Sequence, residues 1–284
     1  VRWRYASHRC GWSSPALAGH LLFATFIGNH ECHATRAGGE LAAFSPETGR
    51  LRWRRAIGPS ESSPLVENGT LYVADQDGYV SAFTAGTGRL RWQFNTGAPI
   101  KASPSLAYGR IYIGNYAGEM FALAARTGRL AWRSGGYGNF YSTASINAGR
   151  VYVGSLDGHV YAFSARHGDV LWSFGMGSYV YASPAVWHGL VLVGSYDHVF
   201  YALNGGTGGL RWTYHARAAI SGAASVVDGI VYFSSFDRRT YGLIATTGHL
   251  RAEWPDGEYS PAVAGNGVLY LVGLGRIYAL RPGR

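Results

Sequence analysis

Thr48-Gly49-Arg50-Leu51-Arg52-Trp53 reads TGRLRW, and the pattern returns as TGRLRW at 87–92, TGRLAW at 127–132, HGDVLW at 167–172 and TGGLRW at 207–212. The tryptophans that close these stretches, Trp53, Trp92, Trp132, Trp172 and Trp212, are 39, 40, 40 and 40 residues apart. Self-similarity at a fixed period of this size marks a solenoid or a propeller. Ahead of each Trp the order is constant: a Ser-Pro-like start (ESSPLV, KASPSL, STASIN, YASPAV), a Gly turn, an apolar run (LYVADQDG, IYIGNYAG, VYVGSLDG), and a second run (YVSAF, EMFAL, HVYAF) that ends at the Thr-Gly turn. Four short β-branched and aromatic runs between Gly, Asp and Asn turns are four antiparallel strands, which make one propeller blade. We letter them A to D from the axis outward. In strand D, Leu51 and Trp53 share one face while Arg50, Arg52 and Arg54 take the other. The Trp face is therefore expected to pack between blades.

The ends of the chain set the blade count. In the sixth copy Trp254 lies six places after Gly248 instead of four, and a slip of two residues keeps the same face. A seventh copy, YSPAVAGNGVLYLVGLGRIYALRPGR, stops where its outer strand should begin, and Pro282-Gly283-Arg284 joined to Val1-Arg2-Trp3 reads PGRVRW. The expectation is an all-β, seven-bladed β-propeller of four-stranded antiparallel blades, formed by residues 1–284 as a single domain. Its last blade is expected to be closed by the N-terminal strand.

Composition agrees with many short strands and tight turns, since the chain has 41 Gly and only 14% charged residues. No run of about 18 apolar residues appears, and Val1 to Tyr5 lack the regions of a signal peptide. Contact with a membrane is thus expected only through segments outside this chain. The formal charge is +9, but 13 of the 24 Arg fall in or beside the outer-strand segment, where they keep sheet edges from pairing with other chains. No basic stripe with interleaved aromatics is visible, so no nucleic-acid partner is expected.

The pattern SxDGxxYAxxxxTGxxxW, carried by Ser155-Leu156-Asp157-Gly158 and Tyr161-Ala162 and less completely by the other copies, resembles the pyrroloquinoline-quinone-like repeat family over the whole chain. That family divides into quinone-dependent dehydrogenases and non-catalytic propellers, among them the outer-membrane assembly lipoprotein and extracytoplasmic sensor domains. For the dehydrogenases the resemblance implies eight blades, a vicinal Cys pair, and calcium ligands beside an Asp base. This chain departs at each point: seven blades, two Cys that are 22 positions apart, and recurring Asp residues (Asp77, Asp157, Asp197, Asp237) at hairpin turns. The reading therefore favours a non-catalytic binding or scaffolding propeller without a cofactor. A hydrolase or lyase using carboxylates at the channel mouth, or a quinone-dependent dehydrogenase, is the alternative.

Three groups of residues are candidates for function. The first copy has an insertion in its B–C hairpin, Phe26 to Gly38, about eleven residues longer than its equivalents, which carries Cys32. Cys10 precedes strand A of the same blade, so a Cys10–Cys32 disulfide is expected, with an extracytoplasmic location, periplasmic or cell-surface. His8, His30 and His33 are near these thiols but are read as loop histidines, and no metal site is assigned. The residue two before the Ser of each strand A gives Trp12, Glu61, Lys101, Tyr141, Tyr181, Ser221 and Glu258. These are expected to line the channel mouth, with Phe140 and Tyr179 adding aromatic bulk, and to bind a small-molecule ligand or a protein partner. The competing reading, in which Glu61 and Lys101 merely pair and the tyrosines plug the channel, remains open at this stage.

Overall fold

A computed structural model of the chain describes residues 2–28, 38–257, 263–265, 268–272 and 277–280. Among them the secondary structure is entirely β, and no helix is present that could cross a membrane. There are seven antiparallel sheets: six have four strands in sequential order, and the last, Val263–Gly265, Val268–Val272 and Ile277–Leu280, has three. The chain divides into two compact units, Val1–Thr143 with the first three sheets and Ala144–Arg284 with the other four.

The second sheet shows how the repeat folds. Its strands are Leu65–Glu67, Thr70–Ala74, Tyr79–Thr84 and Leu90–Asn95. Every residue of strand B is buried, because its sheet is covered on both faces, whereas strand D alternates and keeps Arg91 exposed. Strands C and D pair Ala82 with Trp92 and then Phe83 with Leu90, so Arg91 forms a bulge. The same shift recurs in five other sheets. In the sixth, Gly242 faces Ala252 and Trp254 faces Thr240. Trp254 still reaches Tyr232 at 5.9 Å, as Trp92 reaches Tyr72 at 6.0 Å, so the two-residue slip preserves the face.

Two contacts repeat from one sheet to the next. The indole N–H of Trp53 donates to Ala85 O at 2.9 Å and that of Trp92 to Ala125 O at 2.9 Å; in the second unit Trp172 donates to Gly205 O and Trp212 to Ala245 O. The inner strands are tied by backbone N–H groups that donate to hydroxyls one repeat away: Ser14 to Ser63, Ser63 to Ser103 and Ser103 to Thr143. The Ser of the Ser-Pro signature is thus an acceptor for the neighbouring sheet. Buried side chains such as Ile100, Ile111 and Phe121 fill the first unit, and Phe200, Ile220 and Phe233 the second.

Two expectations need correction. Strand B of the first sheet runs Leu21–Ile27 and strand C begins at Gly39, so the insertion is the connection 28–38, against 75–78 in the second sheet. Phe26 and Ile27 belong to the strand because Ile27 continues its buried face and exchanges both backbone hydrogen bonds with Cys10. Phe140 is 0% exposed and lies against Gly114, in the register of Ile100, Val180 and Ile220. It fills the core and adds nothing to an open surface.

The described residues before Cys10, from Arg2 on, form no strand. Trp3 nevertheless donates to Pro46 O at 2.8 Å and covers Gly49, the contacts that Trp53 makes with Ala85 and Gly88.

Candidate binding surface at the hairpin ends

In every sheet the antiparallel order puts the B–C hairpins and the D–A connections at one end, the hairpin end. The A–B and C–D turns lie at the other, the turn end. At the hairpin end the backbone binds these two kinds of loop together. Gln76 N–H donates to Pro59 O and Tyr116 N–H to Pro99 O in the first unit; Tyr196 N–H donates to Tyr179 O and Phe236 N–H to Ala219 O in the second. A buried polar residue anchors the hairpins of the second and third sheets: Asp75 Oδ1 accepts from Asp77 and Tyr79, and Asn115 Oδ1 from Ala117 and Glu119. Burial pushes the Asp75 carboxyl above the usual carboxylate range, and neighbouring Asp77 adds to the rise against the lowering effect of the Tyr79 and Gly58 N–H groups.

In the first unit the structure brings Glu61, Lys101 and Tyr141 together. Lys101 Nζ is 3.3 Å from Glu61 Oε1, Tyr141 OH donates to Glu61 Oε2 at 3.3 Å, and Gln76 Nε2 donates to Oε1 at 2.7 Å. Lys101 also stands over the rings of Tyr116 at 5.5 Å and Tyr141 at 5.8 Å. The Glu61 side chain is 8% exposed and that of Lys101 30%, so the carboxylate is enclosed while the ammonium still faces solvent. Among the described residues, the side chains bonded to Glu61 are those of Gln76, Lys101 and Tyr141. Trp12 is exposed.

In the second unit Tyr181 packs on Tyr179 at 6.2 Å and on Tyr196 at 4.7 Å, and Tyr196 meets Phe236 edge-on at 5.6 Å. Burial raises the Tyr181 phenol, with Tyr196 and Tyr179 contributing. Tyr179 is exposed, which leaves one end of this aromatic chain open to solvent. Ser221 is half-buried at the corresponding position of the next sheet, and Glu258 lies outside the described residues.

Sequence reasoning missed the second row, Gln76, Tyr116, Tyr196 and Phe236. Its signal was the residue that follows the buried anchor of each B–C hairpin, an aromatic in three sheets. The recurring Asp residues prove to be turn elements with an added bond: Asp157, Asp197 and Asp237 accept from the phenols of Tyr161, Tyr201 and Tyr241.

At the neck of the insertion Arg9 Nη1 donates to Gly28 O at 2.8 Å and to Gly38 O at 3.2 Å, which clamps both ends of the loop. Cys10 is disulfide-bonded, and no free thiol occurs among the described residues. Cys32, His30 and His33 lie outside them. No group of three or more metal-ligating side chains occurs among the described residues.

The sequence matches the family described as outer membrane protein assembly factor BamB over residues 1–135 and 156–283. Among solved structures, BamB from Moraxella catarrhalis is similar at a TM-score of 0.80 and 18% identity, covering 95% of this chain and 85% of that one. The computationally designed Ika8 protein is similar at a TM-score of 0.60 and 15% identity, covering 97% of each chain. No curated protein matches. These matches bear out the repeat resemblance and show a BamB-like β-propeller fold.

Proposed function

The chain belongs to the outer membrane protein assembly factor BamB family, and on that premise we propose that it is a non-catalytic scaffold that binds a protein partner, outside the cytoplasm, in the assembly of outer-membrane proteins. The observation that carries this reading is the hairpin end, where the repeat leaves side chains free to vary. Positions 61, 101, 141, 181 and 221 hold Glu, Lys, Tyr, Tyr and Ser, while the Trp and Gly that couple neighbouring sheets are nearly constant. Loops held by a rigid sheet are where binding residues concentrate. The aromatic chain ending in Tyr179 supplies tyrosines of the kind that anchor protein interfaces, and the solvent-facing ammonium of Lys101, braced by Glu61 and two tyrosines, adds a fixed charge that selects a complementary partner.

The same reading includes three structural elements. Residues 1–284 act as one seven-bladed domain; the N-terminal segment completes the last blade, which the contacts of Trp3 with Pro46 and Gly49 support; and Cys10 pairs with Cys32, which the bonded state of Cys10 and its position beside Ile27 support. The ring of Trp12, Glu61, Lys101, Tyr141, Tyr181, Ser221 and Glu258 is the surface the partner meets. The experiment is a binding screen of candidate proteins and small molecules by thermal shift, repeated with Lys101→Ala and Tyr181→Ala. Both variants should fold and lose the interaction. Variants that bind as wild type would place the site elsewhere, and variants that unfold would make the ring a plug.

A further inference from the structure

Charge is sorted along the sheets of the first unit. Among its described residues the ion pairs are Arg54–Glu40, Lys101–Glu61 and Arg133–Glu119, and all three lie towards the hairpin end. At the turn end Arg50, Arg89, Arg126 and Arg129 are exposed, and no ion pair among the described residues includes any of them. The acids of those turns are Glu47 and Glu67, and Ser45 Oγ already donates to Glu47. Large apolar side chains are exposed among these arginines: Tyr108, 62% exposed at a turn where its φ is 51°, with Leu17, Leu90 and Leu130.

The fold does not require this arrangement. The residue after the C–D turn glycine is Arg50, Arg89 and Arg129 in the first unit, but Asp169, Gly209 and His249 in the first three copies of the second, with Arg284 only in the last. A merely solvated face intersperses both signs, and unpaired like charges repel unless a counter-charge meets them. Guanidinium groups match phosphate oxygens, and Tyr and Leu among them suit the boundary between headgroups and acyl chains.

We propose that the turn end of the first unit is a docking face for an anionic lipid surface, engaged through Arg50, Arg89, Arg126 and Arg129 with Tyr108 and Leu130 at the interface. It lies at the opposite end of the sheets from the protein-binding surface and stands independently of it. Sequence reading expected membrane contact only through other segments, because the repeat shows which strand an arginine enters but not that its counter-charges gather at the far end.

The test is co-sedimentation of the whole chain with phosphatidylcholine vesicles, with or without phosphatidylglycerol, at low and high salt. Binding is expected only to the phosphatidylglycerol vesicles, falling as salt rises. Arg89→Gln, Arg126→Gln and Arg129→Gln should each weaken it about fivefold, Tyr108→Ser should weaken it further, and Arg133→Gln at the hairpin end should not. The melting temperatures of all variants establish that they are folded. Failure to sediment with anionic vesicles, an equal effect of Arg133→Gln, or tighter binding of duplex DNA under the same salt would overturn the proposal, the last by assigning the face to nucleic acid.

Discussion

Gly88 lies beneath the indole of Trp53: a methyl group on it would come within 2.6 Å of the ring, and its φ is 65°. The same contact joins Gly128 to Trp92, Gly208 to Trp172 and Gly248 to Trp212. The Gly and Trp of the recurring hexapeptide therefore serve different partners. Each of these four Trp leaves its own sheet to cover the Gly of the next, and its N–H caps the turn carbonyl there.

This relationship fixes the first expected outcome. Gly88→Ala combines a left-handed backbone penalty of about 1–2 kcal/mol with an overpacking cost of about 1–3 kcal/mol. Gly109→Ala, at φ 69° with open space around it, carries only the backbone part. Urea denaturation of both variants should show Gly88→Ala clearly the less stable; equal losses would refute the Trp contact.

Trp3 makes the same contact with Gly49 from a stretch that forms no strand. Trp3→Ala should cost about 2–4 kcal/mol, near the lower range for a deeply packed Trp, and deletion of residues 1–5 should lower Tm and promote aggregation. A melting curve unchanged by the deletion would remove the N-terminal segment from the account of closure.

The Asp–Tyr pairs predict a response to pH. Burial, then the bond and charge of Asp237, raise the Tyr241 phenol above its ordinary value of 10, and Tyr201 is raised in the same way beside Asp197. The fold favours the protonated phenol, so this contribution to stability is complete below pH about 10 and is lost as pH climbs above it. Tyr241→Phe should be less stable at neutral pH by about 1.5–3 kcal/mol, for the lost bond to a carboxylate, and should show a shallower alkaline loss than wild type. Parallel alkaline profiles would contradict this.

The proposed Cys10–Cys32 bridge closes the loop whose neck Arg9 clamps. Alkylation of denatured, unreduced protein should label no thiol, and reduction should speed proteolysis within 28–38 while leaving the melting of the remaining sheets nearly unchanged. Two labelled thiols would exclude the bridge.

The fold was legible because its period repeats in covalent order: Trp53, Trp92, Trp132, Trp172 and Trp212 announce the blades without any tertiary knowledge. Trp254 could be followed through its slip because strand faces alternate by two. What the sequence hid depends on contacts between copies. The Gly88–Trp53 partnership crosses from one repeat to the next, Phe140 turned out to fill the core, and Phe26–Ile27 extended a strand because Cys10 pairs with it. Of the candidate site, the register marked Glu61, Lys101 and Tyr141 as equivalent positions, but it gave Tyr141 to an aromatic side apart from the charges, and its bond to Glu61 was not legible. The hairpin row of Gln76, Tyr116 and Tyr196 escaped notice because its neighbours lie about 15 residues away in sequence, across the backbone bonds of two loops.

The account rests most directly on the hairpin end as the protein-binding surface. A photo-reactive phenylalanine analogue placed at Trp12, at Tyr179 and, at the turn end, at Tyr108 tests it in the native host. The account predicts protein adducts at Trp12 and Tyr179, lost when Lys101→Ala or Tyr181→Ala is added, with none at Tyr108. Protein adducts at Tyr108 alone, or adducts at Trp12 and Tyr179 that persist in both variants, would contradict it.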